Sequence, residues 1–138
     1  MKTFSYVLDA SALLAVINRE PGIEEVQKFL PESCISSVNF SEVASIMMRL
    51  GIPLKDLKSV LHGLVQIVDF SEEHALTTAE FCGPTRSKGL SLGDRACLAL
   101  GHHLRLPVFT ADKAWKDLEI GVKIRLLNND HLVVSPTP

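Results

Sequence analysis

Four acidic residues stand in short settings that could do chemistry together: Asp9 in VLDASAL, Glu42 in NFSEVAS, Asp94 in LSLGDRACLAL and Asp112 in VFTADKAW. Asp9 and Asp112 follow apolar, strand-like runs. Glu42 and Asp94 fall in the first turns of expected helices. One parallel sheet could bring all four to a single rim. Gathering them is costly, because two ionised carboxylates about 5 Å apart repel by roughly 3 kcal/mol at an effective dielectric near 20. Summed over every pair among four acids, that load exceeds what marginal folding stability comfortably carries. Either some of the acids stay protonated or a divalent cation neutralises them. An all-oxygen donor set suits Mg²⁺ or Mn²⁺, and a site of that kind suits phosphoryl-transfer chemistry.

Each acid taken alone also has a structural use. Asp9 and Asp112 are placed to cap the helices that follow them. Asn39 with Glu42, and Ser91 with Asp94, have the spacing of a capping box. A cap is worth only about 1 kcal/mol and is made equally well by Ser, Thr or Asn. Here a carboxylate recurs each time the chain reaches the expected rim. A helix N-terminus also stabilises negative charge, so capping and ligand roles can coexist.

Strands alternate with helices along the chain. The expected strands cover residues 4–8, 34–36, 65–68, 107–110 and 122–127. The expected helices cover residues 11–18, 23–30, 39–50, 53–62, 71–81, 91–104 and, briefly, 113–118. Gly51 is a helix stop signal, Pro53 a start signal, and residues 83–89, GPTRSKG, read as a loop. Ser71 begins an imperfect capping box. The alternation predicts an α/β sandwich with a mainly parallel sheet. Ligands of such sheets bind beyond the carboxyl ends of the strands, where Asp9 and Asp112 fall.

With 138 residues, one domain with a sizeable core is expected. We place it at residues 1–127, followed by a polar, proline-containing tail over 128–138. Hydrophobic residues make up 46% of the chain and the mean hydropathy is +0.21. That suits a sheet covered on both faces, or an apolar surface used by a partner. The formal charge of −2 provides no global basic field for nucleic acid. A nuclease with local basic loops remains compatible. Cys34, Cys82 and Cys97 have neither zinc nor redox spacing and read as small buried hydrophobes in a reducing compartment. Asp9 interrupts the apolar N-terminal stretch, unlike a signal peptide. No run approaches the ~20 apolar residues of a membrane span. A cytoplasmic protein is expected.

The four strings, in this order and at these separations, resemble the PIN-domain nucleases. More narrowly, they are similar to the VapC-type ribonuclease toxins of type II toxin–antitoxin systems. The resemblance runs from Tyr6 to about Leu127, and LSLGDRACLALG is its most specific string. It implies a three-layer α/β/α fold with a mainly parallel central sheet and Mg²⁺- or Mn²⁺-dependent endoribonuclease activity. It makes Asp9, Glu42, Asp94 and Asp112 the catalytic and metal-binding acids, with Ser11 and Thr110 as accompanying hydroxyls and Asp117 as a candidate fifth acid. It also implies RNA as substrate, a small cognate antitoxin and a homodimer.

Arg86 and Lys88 precede the Asp94 helix and could hold RNA phosphates, or be ordinary loop charges. Arg95 could touch substrate or pair with a nearby carboxylate. The five histidines lack metal-ligand spacing, and His102 and His103 are expected to point apart. Trp115 is expected to pack its short helix against the body. Between residues 46 and 64, Leu54, Leu57, Val60, Leu61 and Leu64 have helical spacing. They mostly serve the core, and part of that surface could line a groove for an antitoxin segment.

Other functions fit less well. A phospho-receiver signalling domain needs a paired acid beside the first strand, and would leave Glu42 and Asp94 without a role. A dehalogenase-like phosphatase needs an acid two residues after Asp9, where Ser11 stands. DNA flap nucleases need added elements for which this chain lacks room. A catalytically silent PIN-like module that binds RNA or protein is the remaining alternative, and the presence of all four acids argues against it.

Overall fold

The computed structural model of the chain describes residues 3–127. The expected tail, residues 128–138, lies outside the described residues. Five short strands form one sheet: β1 (Tyr6–Leu8), β2 (Ser33–Ser36), β3 (Gln66–Val68), β4 (Val108–Thr110) and β5 (Ile124–Leu126). Their order is β3-β2-β1-β4-β5, and every pairing is parallel. Parallel neighbours need crossover connections. Helices α1 (Ala10–Ile17) and α2 (Glu24–Lys28) lead from β1 to β2. Helices α3 (Ser37–Arg49) and α4 (Leu54–Leu64) lead from β2 to β3. Helices α5 (Glu72–Glu80) and α6 (Leu92–Leu104) lead from β3 to β4.

The pleat of the sheet explains the three layers. Leu8, Ile35 and Phe109 point to one face and join the core formed with α1 to α4. Val7, Cys34 and Val108 point to the other face and pack against α6. Val7 pairs in register with both Cys34 and Val108, so alternate residues of adjacent strands share a face. Residues Ala96 to Gly101 of α6 are all buried. An apolar helix without a polar stripe belongs inside the fold. No helix among the described residues is long and apolar enough to cross a membrane.

Several element boundaries differ from expectation. Helix α3 begins at Ser37, because Ser36 Oγ accepts from the Val38 amide (3.2 Å) and caps it there. Asn39 therefore lies inside the first turn and is no cap. The helix expected over residues 23–30 stops early. Pro31 has no amide to donate and disfavours α geometry in the residue before it, so a 3₁₀ turn (Leu30–Glu32) follows α2. Residues Lys113–Trp115 make only a 3₁₀ turn. The loop before α6 holds another (Arg86–Lys88), closed by Gly89 at φ +64. Ser71 does cap α5, accepting from the His74 amide (3.2 Å).

Strand β1 lies at the centre of the sheet. The chain leaves it for β2 on one side, and β4 returns on the other. The crevice beyond the carboxyl ends of β1 and β4 is thus a topological switch point. The Asp9 amide donates to the Phe109 carbonyl across it (3.1 Å).

Candidate active site

Asp9 is the residue at which β1 turns into α1. Its Oδ1 accepts from the Ala12 amide (2.8 Å), capping the helix, and from Ser11 Oγ (2.8 Å). Its Oδ2 accepts from Thr110 Oγ1. Thr110 ends β4 and in turn accepts from the Asp112 amide (3.0 Å). Ser11 Oγ accepts from the Ala111 amide (2.9 Å). The two hydroxyls lie 3.4 Å apart, but each gives its proton to Asp9, so their mutual contact is packing. Ser11 and Thr110 thereby join the end of β1 to the end of β4 through one carboxylate. Asp9 is 5% exposed. Burial pushes its pKa up to about 6, against the hydrogen bonds from Thr110, Ala12 and Ser11, and the charge of Asp94 pushes the same way.

The other three acids come from separate elements. Glu42 lies on α3, where its Oε1 accepts from Asn39 Nδ2 (2.9 Å). Asn39 Nδ2 also donates to the Gly93 carbonyl on α6 (2.9 Å). Asp94 sits three residues after Ser91, the N-cap of α6, and completes a capping box. The Ser91 amide donates to its Oδ2 (3.0 Å), and its own amide donates to Ser91 Oγ (3.1 Å). Asp112 Oδ1 accepts from the Ala114 amide (2.9 Å) and caps the 3₁₀ turn.

All four carboxylates line one cavity of about 280 Å³, together with Ser11, Leu14, Asn39 and Ile46. A larger cavity, about 590 Å³, opens at the other end of the sheet, between the end of α6 and the starts of β4 and β5. None of the four acids lines it. Size alone would favour that cavity, but its walls carry no comparable set of groups.

The charge balance in the acidic cavity is one-sided. Among the described residues, none of the four acids makes an ion pair with Lys, Arg or His; the ion pair recorded joins Arg125 to Glu25. The buried thiol of Cys97 on α6 is pushed well above its usual range by burial, then by the charges of Asp9 and Asp94, with Glu42 adding to them. Each acid spends at least one oxygen on a local donor. Glu42 Oε2, Asp94 Oδ1 and Asp112 Oδ2 make no hydrogen bond among the described residues. These caps hold the acids on the cavity walls. Accordingly, among the described residues no three His, Cys, Asp or Glu side chains converge tightly enough to grip one ion. The residues fit a hard divalent cation by donor chemistry and by their common cavity, without being pre-assembled around a point.

Not every residue singled out from sequence belongs here. Asp117 is exposed and does not line the cavity. Arg86 and Lys88 are exposed in their 3₁₀ turn and do not line it either. Arg95 neither pairs with a carboxylate nor faces the cavity. Its Nη1 donates to the Thr78 carbonyl (2.9 Å), which ties α6 to α5. Trp115 is fully buried, as expected of a packing residue. Cys34 and Cys97 are buried, whereas Cys82 is exposed, against expectation. His102 and His103 do not point apart. Both lean toward α5, where His102 packs on Phe81 and His103 Nε2 lies 2.7 Å from Thr77 Oγ1. Asn39 and Gly93 were not anticipated as site residues. Their signals were an Asn one helical turn before Glu42, and a glycine, a poor helix former, beside Asp94.

Residues 6–121 match the PIN domain family. No curated protein sequence matches the chain. Among solved structures, the fold is similar to a chain of DNA-bound VapBC from Salmonella typhimurium, with TM-score 0.71 and 18% identity over 91% of this chain and 99% of that one. It is also similar to VapC20 of Mycobacterium tuberculosis, a sarcin–ricin-loop-cleaving toxin, with TM-score 0.66 and 13% identity over 86% of this chain and 99% of that one. A third similar fold is PAE2754 from Pyrobaculum aerophilum, with TM-score 0.60 and 19% identity over 95% of this chain and 93% of that one. At such identities the structures speak for the fold. The family match itself runs from the start of β1 to the turn before β5 and takes in all four acids. On that match, over a parallel sheet whose switch point opens into the acidic cavity, this chain belongs to the PIN domain family.

Proposed function

We propose that the chain is a divalent-cation-dependent endoribonuclease, the toxin of a toxin–antitoxin pair, which hydrolyses RNA phosphodiester bonds at Asp9, Glu42, Asp94 and Asp112. The observation that carries this reading is the shared cavity. Four carboxylates from four separate segments line one space at the switch point, and among the described residues no cationic side chain neutralises them. Like charges are not collected this way for stability alone.

Mg²⁺ or Mn²⁺ held by these oxygens would supply the positive charge that the acids lack and would polarise the scissile phosphate. The chain's own part is orientation and proton handling. Ser11 and Thr110 fix both oxygens of Asp9, so its lone pairs keep one direction while substrate comes and goes. Glu42 Oε2, Asp94 Oδ1 and Asp112 Oδ2 are the unspent acceptors, able to orient an attacking water and take its proton. Arg86 and Lys88 are exposed cations on the approach to α6, suited to phosphates on either side of the cut.

RNA as substrate is supported by family membership and by the sarcin–ricin-loop cleavage ascribed to VapC20. An antitoxin partner is supported by relatives that occur as VapBC complexes. Met48, Leu50, Leu54 and Val60 leave apolar surface exposed around α3 and α4, suited to an amphipathic partner segment. A homodimer belongs to the same reading.

The test is cleavage of a structured RNA pool by purified protein, with Mn²⁺ or Mg²⁺ against EDTA, and wild type against Asp94→Asn. The asparagine keeps an oxygen for the Ser91 amide, so the cap survives. Cleavage that needs both the metal and Asp94 supports the proposal. Cleavage that persists in Asp94→Asn rejects the assigned site, and no cleavage by folded, partner-free protein favours a silent binding module.

A further inference from the structure

We propose that Asn39 and Gly93 form a clasp that sets the Glu42 carboxylate in place for the cation; this rests on the nuclease reading above. Asn39 is 1% exposed. Both of its donors are spent at the site, one on Glu42 Oε1 and one on the Gly93 carbonyl, each at 2.9 Å. Two acceptors at that nitrogen leave no choice of amide orientation, since the flipped form would set an oxygen against a carboxylate and a carbonyl. The price is visible in Oδ1, a buried acceptor without a partner among the described residues. An unsatisfied buried acceptor is destabilising, a cost that an apolar residue at this position would avoid.

Gly93 is the second jaw. A Cβ there would stand 2.8 Å from Glu42 Cδ and 2.9 Å from Oε1, and closer still to Oε2. Its φ is not in the left-handed region, so no backbone requirement calls for glycine. Helix propensity favours alanine over glycine at such a position. The missing side chain is explained by the carboxylate that occupies its space. Asn39 pulls Glu42 from α3 toward α6, and Gly93 lets it arrive beside Asp94. Neither is a catalytic residue; both act on Glu42.

The test is Mn²⁺ affinity by calorimetry, with cleavage kinetics alongside, for Asn39→Ala, Asn39→Asp and Gly93→Ala. The control is Gly63→Ala, where a Cβ meets nothing within 4 Å. Loss of a group that orients a ligand typically weakens metal binding about 10- to 100-fold. We expect a loss of that size for each of the three variants, a fall in kcat larger than any rise in KM, and wild-type values for Gly63→Ala. In a Glu42→Ala background, Asn39→Ala and Gly93→Ala should weaken Mn²⁺ no further, because the carboxylate they position is gone. Equal losses in both backgrounds would mean a merely structural role and overturn the clasp. Wild-type affinity in all variants of an active, Mn²⁺-binding protein would overturn the clasp alone. A wild type that neither binds Mn²⁺ nor cleaves RNA would overturn the nuclease reading and the clasp with it.

Discussion

Replacing Asp9 by Asn should make the metal-free protein more stable at neutral pH while abolishing its activity. Burial raises the Asp9 pKa to about 6 from an unperturbed 3.8. The native state therefore binds this proton more tightly than the unfolded chain. The stability linked to it is fully present below about pH 4 and is lost as pH rises through about 6. At about 1.4 kcal/mol per pKa unit, the loss is roughly 3 kcal/mol. Asn keeps the geometry. Its Oδ1 can accept from Ala12 and Ser11, and its Nδ2 can donate to Thr110 Oγ1, whose own proton can turn to Ser11 Oγ, 3.4 Å away. Weaker hydrogen bonds to a neutral amide give back part of the gain, leaving about 1–3 kcal/mol, or several degrees in Tm for a domain of this size. The assay is thermal unfolding of both proteins in EDTA at pH 7.5 and pH 4.5. Asp9→Asn should melt higher at pH 7.5, and the gap should narrow at pH 4.5, where the native Asp9 is protonated. Added Mn²⁺ should stabilise the wild type and leave Asp9→Asn nearly unmoved. A variant that melts below wild type at pH 7.5, or a gap indifferent to pH, would refute the burial argument.

Three further outcomes follow from the same contacts. Thr110→Val keeps a β-branched side chain in β4 but removes a hydrogen bond to a buried carboxylate, so denaturant unfolding should show a loss of about 1.5–3 kcal/mol, and RNA cleavage should fall. Arg95→Met should cost about 1–2 kcal/mol in the same assay through the lost Thr78 bond, with cleavage per folded molecule unchanged; a selective loss of RNA affinity would return Arg95 to the substrate surface. Native protein should react with a thiol reagent at Cys82 alone. Cys34, pushed up to about 12 by burial, and Cys97 should react only on unfolding.

The sequence exposed the architecture well, because its signals are local. Apolar runs ending at Asp9 and Thr110, the Ser91 and Ser71 caps and the all-apolar stretch after Arg95 each act within a few residues. The shared cavity of the four acids was partly legible for the same reason: Asp9 and Asp112 follow strand ends and Asp94 lies in the first turn of α6, where topology collects ligands, whereas Glu42 lies in the second turn of α3, deeper than the sequence suggests. Contacts between distant segments were not legible. Asn39 and Glu42 at one-turn spacing look like a capping box, and only the approach of α6 reveals that the amide faces Gly93 instead. Arg95 follows Asp94 and its sequence position suggests the site, but the rotation of α6 turns it to Thr78 of α5. Cys82 looked like another small core residue until the end of α5 left it in solvent.

On the proposed function, the four carboxylates of one cavity hold a divalent cation. Crystals grown without metal and soaked in Mn²⁺ test it directly through anomalous scattering. A peak is expected inside the cavity with oxygens of Asp9, Glu42, Asp94 and Asp112 around it, at carboxylate–metal distances, and it should disappear in Asp94→Asn. A Mn²⁺ peak elsewhere, or a cavity without a peak in crystals of the active protein, would contradict it.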